Sequence, residues 1–203
     1  MTGRRDSRDT HVCPWWLIRT FDNPLRRLVH DPERILRGGV RRGDRCLDLG
    51  CGFGYFTIPM ARIVGPAGTV TAVDLQPEML AGVKGRAEKA GVVSRIQLHR
   101  VDASGIHFDG AFDFVLAFWM LHEVPDQGIA LTQICSALEP GGRFLMVEPR
   151  GHVSEAAFAR TIELARHAGL TKVAQPGVAL SRAVRMVKGG QSADVSGAAR
   201  DAG

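Results

Sequence analysis

Three aspartates, a glycine bend and two histidine–glutamate groups are the residues of this chain with chemistry to offer. Asp48 stands two residues ahead of Gly50 in the run Asp48-Leu49-Gly50-Cys51-Gly52-Phe53-Gly54. Glycines at alternate positions let a backbone turn tightly and approach a ligand where a Cβ would collide. The spacing departs from the dinucleotide pattern G-x-G-x-x-G: read from Gly50, the third glycine would fall at residue 55, which is Tyr55. An acid ahead of the bend suits a ligand with an amino group and no pyrophosphate. Asp74, followed by Leu75, closes the next apolar run, where an acid accepts hydrogen bonds from ribose hydroxyls. Asp102 and Ala103 close a third run; an acid there either meets a ligand donor or caps a turn. Further on come His122-Glu123-Val124-Pro125 and Glu148-Pro149-Arg150-Gly151-His152. An imidazole titrates near neutral pH, so His122 is the first candidate for a general base, with a loop brace as its alternative. Glu123 is a candidate to orient it. Glu148 and His152 are further catalytic candidates, each with a structural alternative.

These residues must be held at the ends of regular elements. Cys46, Leu47 and Leu49 form the short apolar run of a strand buried on both faces. Residues 55–64 turn helical, with Phe56, Met60 and Ile63 three or four apart. A strand, a glycine bend and a helix place a nucleotide-like ligand at the strand's carboxyl end, beside the helix N-terminus. Strands follow at 69–73 and 96–101, the latter with Ile96 and Leu98 inward. A helix over 77–90 carries Met79, Leu80, Val83 and Ala87 on one face. Residues 112–121, including Phe118, are apolar on both faces and form a central fourth strand. A helix over 126–138 carries Ile129, Leu131, Ile134, Cys135 and Leu138. Pro140-Gly141-Gly142 breaks it before a fifth strand at 143–148. A helix over 154–168 carries Ala156, Phe158, Ile162 and Ala165, and 170–174 with 181–187 form a closing antiparallel pair. Strands alternating with helices imply an α/β fold, a doubly wound and mostly parallel seven-stranded sheet with right-handed crossovers.

The glycine bend, the acid after the second strand and Leu138-Glu139-Pro140-Gly141-Gly142-Arg143 before the fifth resemble the class I S-adenosylmethionine-dependent methyltransferases. The resemblance runs over about 41–187 and is nearest to the small-molecule group that includes ubiquinone/menaquinone-biosynthesis and arsenite-type enzymes. It implies a Rossmann-like fold and S-adenosyl-L-methionine as cofactor. The cofactor residues would be Asp48, Gly50, Cys51, Gly52, Phe53, Gly54, Asp74, Leu75, Asp102, Ala103 and Phe118, with Asp102 on the adenine amino group. The catalytic candidates remain His122, Glu123, Glu148 and His152. Arsenite-type enzymes rely on several cysteines around the substrate, whereas Cys46, Cys51 and Cys135 fall on a strand, the bend and a helix. The expected acceptor is a small molecule. Alternatives are an RNA methyltransferase, or a cofactor-binding protein that transfers no methyl group. Adenine amino-group methylation usually comes with Asn/Asp-Pro-Pro-aromatic after the fourth strand, where this chain has Trp119-Met120-Leu121-His122-Glu123.

Composition sets the outer bounds. A chain of 203 residues, 45% hydrophobic and 23% charged, reads as one ordinary globular domain. No apolar run approaches the roughly 20 residues of a membrane helix, and the charged start has no signal-peptide core, so a cytoplasmic protein off the membrane is expected. Four cysteines without C-x-x-C spacing read as reduced thiols. The net charge of +5 is spread among acids rather than gathered with aromatics, which disfavours nucleic acid as a partner. The histidines and glutamates lack metal-ligand spacing, and no metal is expected. Residues 1–10 and 189–203 read as disordered ends around a single domain at 11–188, with a helical cap at 11–40 and the Rossmann-like core at 41–188. In the cap, Asn23-Pro24 and Asp31-Pro32 are helix starts. Trp15-Trp16 either staples that segment to the core or forms a lid. Oligomeric state stays open, with a homodimer among the options.

Overall fold

The computed structural model describes residues 26–101, 108 and 111–189. Trp15-Trp16, the Asn23-Pro24 helix start, Asp102, Ala103, Cys13 and the C-terminal tail lie outside the described residues. Seven strands make one sheet: β1 (Arg45–Leu49), β2 (Thr69–Asp74), β3 (Ile96–Arg100), β4 (Phe112–Phe118), β5 (Leu138–Pro149), β6 (Leu170–Ala174) and β7 (Ser181–Lys188). Their order is β3-β2-β1-β4-β5-β7-β6. The first five run parallel, and β7 lies antiparallel between β5 and β6, as the strand pattern implied. Strand order reverses between β1 and β4, so a crevice opens at their carboxyl ends.

Among the described residues, six helices accompany the sheet: α1 (Arg26–Val29), α2 (Pro32–Leu36), α3 (Thr57–Val64), α4 (Pro77–Lys89), α5 (Gln127–Ala137) and α6 (Glu155–His167). Their starts follow capping chemistry. Asp31 accepts the Glu33 N–H ahead of Pro32, Asp126 accepts the Ile129 N–H at 2.9 Å, and Ser154 accepts the Ala157 N–H at 3.1 Å. Alternate residues of the central strands enter opposite cores. Leu47, Leu49, Val115 and Ala117 pack with α5 and α6, while Cys46, Phe114, Leu116 and Phe118 pack with α2 and α3. Each such buried Leu or Phe contributes roughly 1.5–3 kcal/mol. Among the described residues, no helix is long and apolar enough to cross a membrane.

Three expectations need correction. Leu98 is 39% exposed, because β3 is the sheet's edge strand and its outer residues meet no second layer among the described residues. The fifth strand begins at Leu138, not residue 143. Leu138 pairs with Phe112, and the Pro140-Gly141-Gly142 break becomes a bulge within the strand. On the helices, Ile129 and Ala156 face solvent, and Ala130 and Thr161 take the inward positions. Just ahead of β1, Asp44 is buried and takes the Arg41 N–H at 2.7 Å and the Arg143 guanidinium at 2.8 Å. That ion pair ties the start of β1 to β5 at the end of the sheet opposite the crevice.

Candidate active site

At the carboxyl end of β1 the chain turns through Gly50 (φ 67°), Gly52 (φ 53°) and Gly54 (φ 81°). These left-handed angles are the reason for glycine there. At Gly50 there is a second reason: a Cβ would lie 2.9 Å from Met120 Cβ, on the loop after β4. The bend therefore rests against the opposite wall of the crevice. Its amides are largely committed, Cys51 N–H to Val73 O, Gly54 N–H to Cys51 O, and Gly52 N–H to Asp74 Oδ2 at 2.9 Å.

Asp74 thus holds the bend as well as facing the crevice. Its Oδ1 accepts the Gln76 N–H at 3.0 Å and the Leu75 amide also bonds the carboxylate, which as a four-site acceptor keeps capacity for a ligand hydroxyl. Burial raises its pKa despite those amides. Leu75 follows, half-buried, its carbonyl bonded by Arg100 Nε. Asp48 is 2% exposed and lies under the bend, where the Thr57 hydroxyl donates to Oδ2 at 2.6 Å. Burial, opposed by the Thr57 bond and helped by Asp74, pushes its pKa up to about 7. Asp48 therefore faces Thr57 and the loop above it rather than open space. Cys51 is buried with its thiol pKa raised by that burial, and its Sγ lies 3.5 Å from Gly52 O. Phe53 leans away toward α4, where a Cβ on Gly82 would collide with its ring, and Arg86 lies 5.8 Å from the ring centre.

The other wall comes from β4 and β5. Phe118 ends β4 in an aromatic group: 4.4 Å from Phe56, 5.4 Å from His30 and 5.4 Å, stacked, from Trp119. Trp119 has φ 58°, uncommon for a bulky residue, and is held there by its N–H on Val147 O and its indole N–H on Ser181 Oγ at 3.0 Å. The single-turn 3-10 helix Leu121–Glu123 follows. His122 Nδ1 lies 2.5 Å from Glu148 Oε2, and the Leu121 N–H donates to Glu148 Oε1 at 3.0 Å. Glu148 is 2% exposed; the residue on the His122 ring is thus Glu148 and not Glu123, whose place in sequence had suggested it. The Glu148 hydrogen bond, ahead of opposing burial, raises the His122 pKa. His152 is exposed, its ring centre 5.8 Å from that of His122.

Five further residues shape the crevice. Thr57 was legible as a hydroxyl nine residues after Asp48. His30, Tyr55, Trp119 and Ser181 had no local signal, because tertiary packing brings them in. His30 Nε2 lies 2.8 Å from Ala179 O, the Tyr55 hydroxyl donates to His30 O at 2.7 Å, and Arg26 sits 4.1 Å above the Tyr55 ring. Burial lowers the His30 pKa. The residues present suit an adenosyl sulfonium: a bend too tight for side chains, with the carboxylate acceptor Asp74 beside it.

Fold and crevice define a Rossmann-like domain with a titratable group opposite the glycine bend. The chain belongs to the methyltransferase-domain family, whose model matches residues 41–191, and it is a class I S-adenosylmethionine-dependent type. Its cofactor is S-adenosyl-L-methionine. It is 38% identical over 118 residues to a demethylmenaquinone methyltransferase of Staphylococcus aureus, an alignment covering 57% of this chain and 48% of the relative. The chain thus spans about half the length of the curated relatives it matches. Among solved structures, it is similar to a SAM-dependent methyltransferase from Aquifex aeolicus, with a TM-score of 0.77 and 21% identity over 86% of this chain and 98% of that one. It also resembles the [4+2]-cyclase SpnF, with a TM-score of 0.66 and 18% identity over 78% of this chain and 80% of that one.

Proposed function

We propose that this chain methylates a small-molecule acceptor, with His122 as the general base. The observation that carries the reading is the His122–Glu148 contact at the carboxyl ends of β4 and β5, across the crevice from the glycine bend. When bound, the cofactor supplies an electrophilic methyl group on a sulfonium. Asp74 would hold the ribose hydroxyls, the bend at residues 50–54 would seat the adenosyl sulfonium, and Asp48 would act from beneath it. Phe118, stacked on Trp119, would line the apolar wall. His122 Nε2 would take the proton of the acceptor atom as that atom becomes nucleophilic. The similarity to a demethylmenaquinone methyltransferase supports a small, apolar, ring-bearing acceptor.

Incubation of the purified protein with S-adenosyl-L-methionine and reduced demethylmenaquinone, then with a pool of cellular metabolites, tests the proposal. The expected result is S-adenosylhomocysteine together with a product heavier by about 14 Da, one methylene, the mark of the transferred group. Cofactor binding with no methylated product from either source would contradict it.

A further inference from the structure

The structure assigns Glu148 as the positioning residue of His122: a buried carboxylate that fixes which ring nitrogen faces the acceptor. This rests on His122 being the base, and it narrows the acceptor to one whose nucleophilic atom carries a proton.

The argument starts from the number of hydrogen bonds Glu148 can serve. Its Oε1 takes the Leu121 N–H, which can only donate. Its Oε2 meets His122 Nδ1 at 2.5 Å. With the carboxylate ionised, Nδ1 carries the proton, and the ring's lone pair is confined to Nε2. Among the described residues, no group meets Nε2. The turn itself is clamped from both sides. Leu121 O accepts from the Gln127 amide at 3.1 Å, and Gln127 Oε1 accepts from the Thr161 hydroxyl at 2.8 Å. Leu121 is fully buried and Thr161 nearly so. A chain of side chains from α6 through α5 to β5 therefore fixes the 3-10 turn on which His122 sits.

A brace for a loop needs only the Leu121 amide. Placing the second oxygen on an imidazole leaves a ring that is 21% exposed and, among the described residues, unbonded at its far nitrogen, which a purely structural contact does not require. The charges facing the ring are Glu148 from β5, Glu123 on its own turn and the His152 ring from the loop after β5. Arg182, opposite Glu148 on β7, turns its guanidinium to Val153 O. Proton transfer from the acceptor atom to Nε2 makes an imidazolium, whose charge Glu148 balances, and the proton then leaves from Nε2 to solvent.

Nitrogen-detected NMR of His122 in the full chain tests this without an acceptor. The neutral ring should carry its proton on Nδ1, and Glu148→Gln should move the titration down by about one pH unit or more. Glu123→Gln should move it less. With the acceptor found as above, the low-pH limb of kcat/KM should shift down by the same amount in Glu148→Gln, with affinity for S-adenosylhomocysteine unchanged. A neutral ring protonated on Nε2 in the parent protein overturns the assignment, even if the variant fails to fold. So does a titration that Glu148→Gln leaves in place, or a rate profile that stays fixed while the titration moves. If the parent methylates nothing, the proposed function fails, and the ring's tautomer still decides whether Glu148 holds His122 as assigned.

Discussion

The two walls of the crevice are built on opposite plans. On the β1–β2 side, the polar groups are spent on the chain itself: Asp74 on Gly52 and Gln76, Asp48 on Thr57, the bend amides on neighbouring carbonyls. On the β4–β5 side, a buried carboxylate holds a ring whose second nitrogen meets no partner among the described residues. The first plan gives a rigid shape, suited to a cofactor that brings its own reactivity. The second presents an imidazole held by a buried carboxylate, suited to an acceptor that must lose a proton. Binding and proton removal should therefore be separable by mutation, one wall at a time.

The largest effect that could break this contrast is on rate. His122→Ala should lower turnover roughly 10²–10⁴-fold and leave cofactor affinity as it was, read by initial rates and by calorimetry. Equal loss of both would merge the two walls into one. Next is the pH dependence of stability without cofactor. Asp48 keeps its proton up to about pH 7 in the folded chain, against about 3.8 when unfolded. The folded state binds more protons in that window, so stability falls as pH rises through it. His122 acts in the same direction: its raised pKa gives stability present below about pH 6.5 and lost as pH rises through its folded value. Asp48→Asn should flatten the urea-unfolding profile between pH 4 and 8 by on the order of 3 kcal/mol. An unchanged slope would mean Asp48 is ionised beneath the bend. Asp74→Ala should weaken cofactor binding by about 1.5–3 kcal/mol while sparing His122's titration. Smallest is Arg45→Ala, far from the crevice. Its exposed bonds to Asp113 and Glu139 are worth at most about 1 kcal/mol, and no change in cofactor binding should follow.

The β1–β2 wall was the more legible of the two in the amino-acid sequence. Its pieces lie close along the chain: an acid, three glycines two apart, and a helix whose first residue returns to the acid. The central strands were also readable, since Phe114 and Val115 are buried on opposite faces within the apolar run 114–118. The β4–β5 wall depends on register. Glu148 reaches His122 across 26 residues because β4 and β5 pair in parallel and both end at the crevice. Glu123, next in sequence, looked nearer, yet the His122 ring bonds Glu148. The bulge at residues 140–142 and the exposure of Leu98 were hidden for a related reason. Each depends on whether a neighbouring strand or layer is present, which hydropathy alone does not carry. Trp119's left-handed backbone has no local signature in a residue of that size.

Calorimetric titration with S-adenosylhomocysteine at neutral pH, on the parent chain and two variants, addresses the separation of the walls most directly. The account predicts saturable one-site binding by the parent, equal affinity in His122→Ala, and a loss of about 10- to 100-fold in Asp74→Ala. No binding by the parent, or the same loss in both variants, would contradict it.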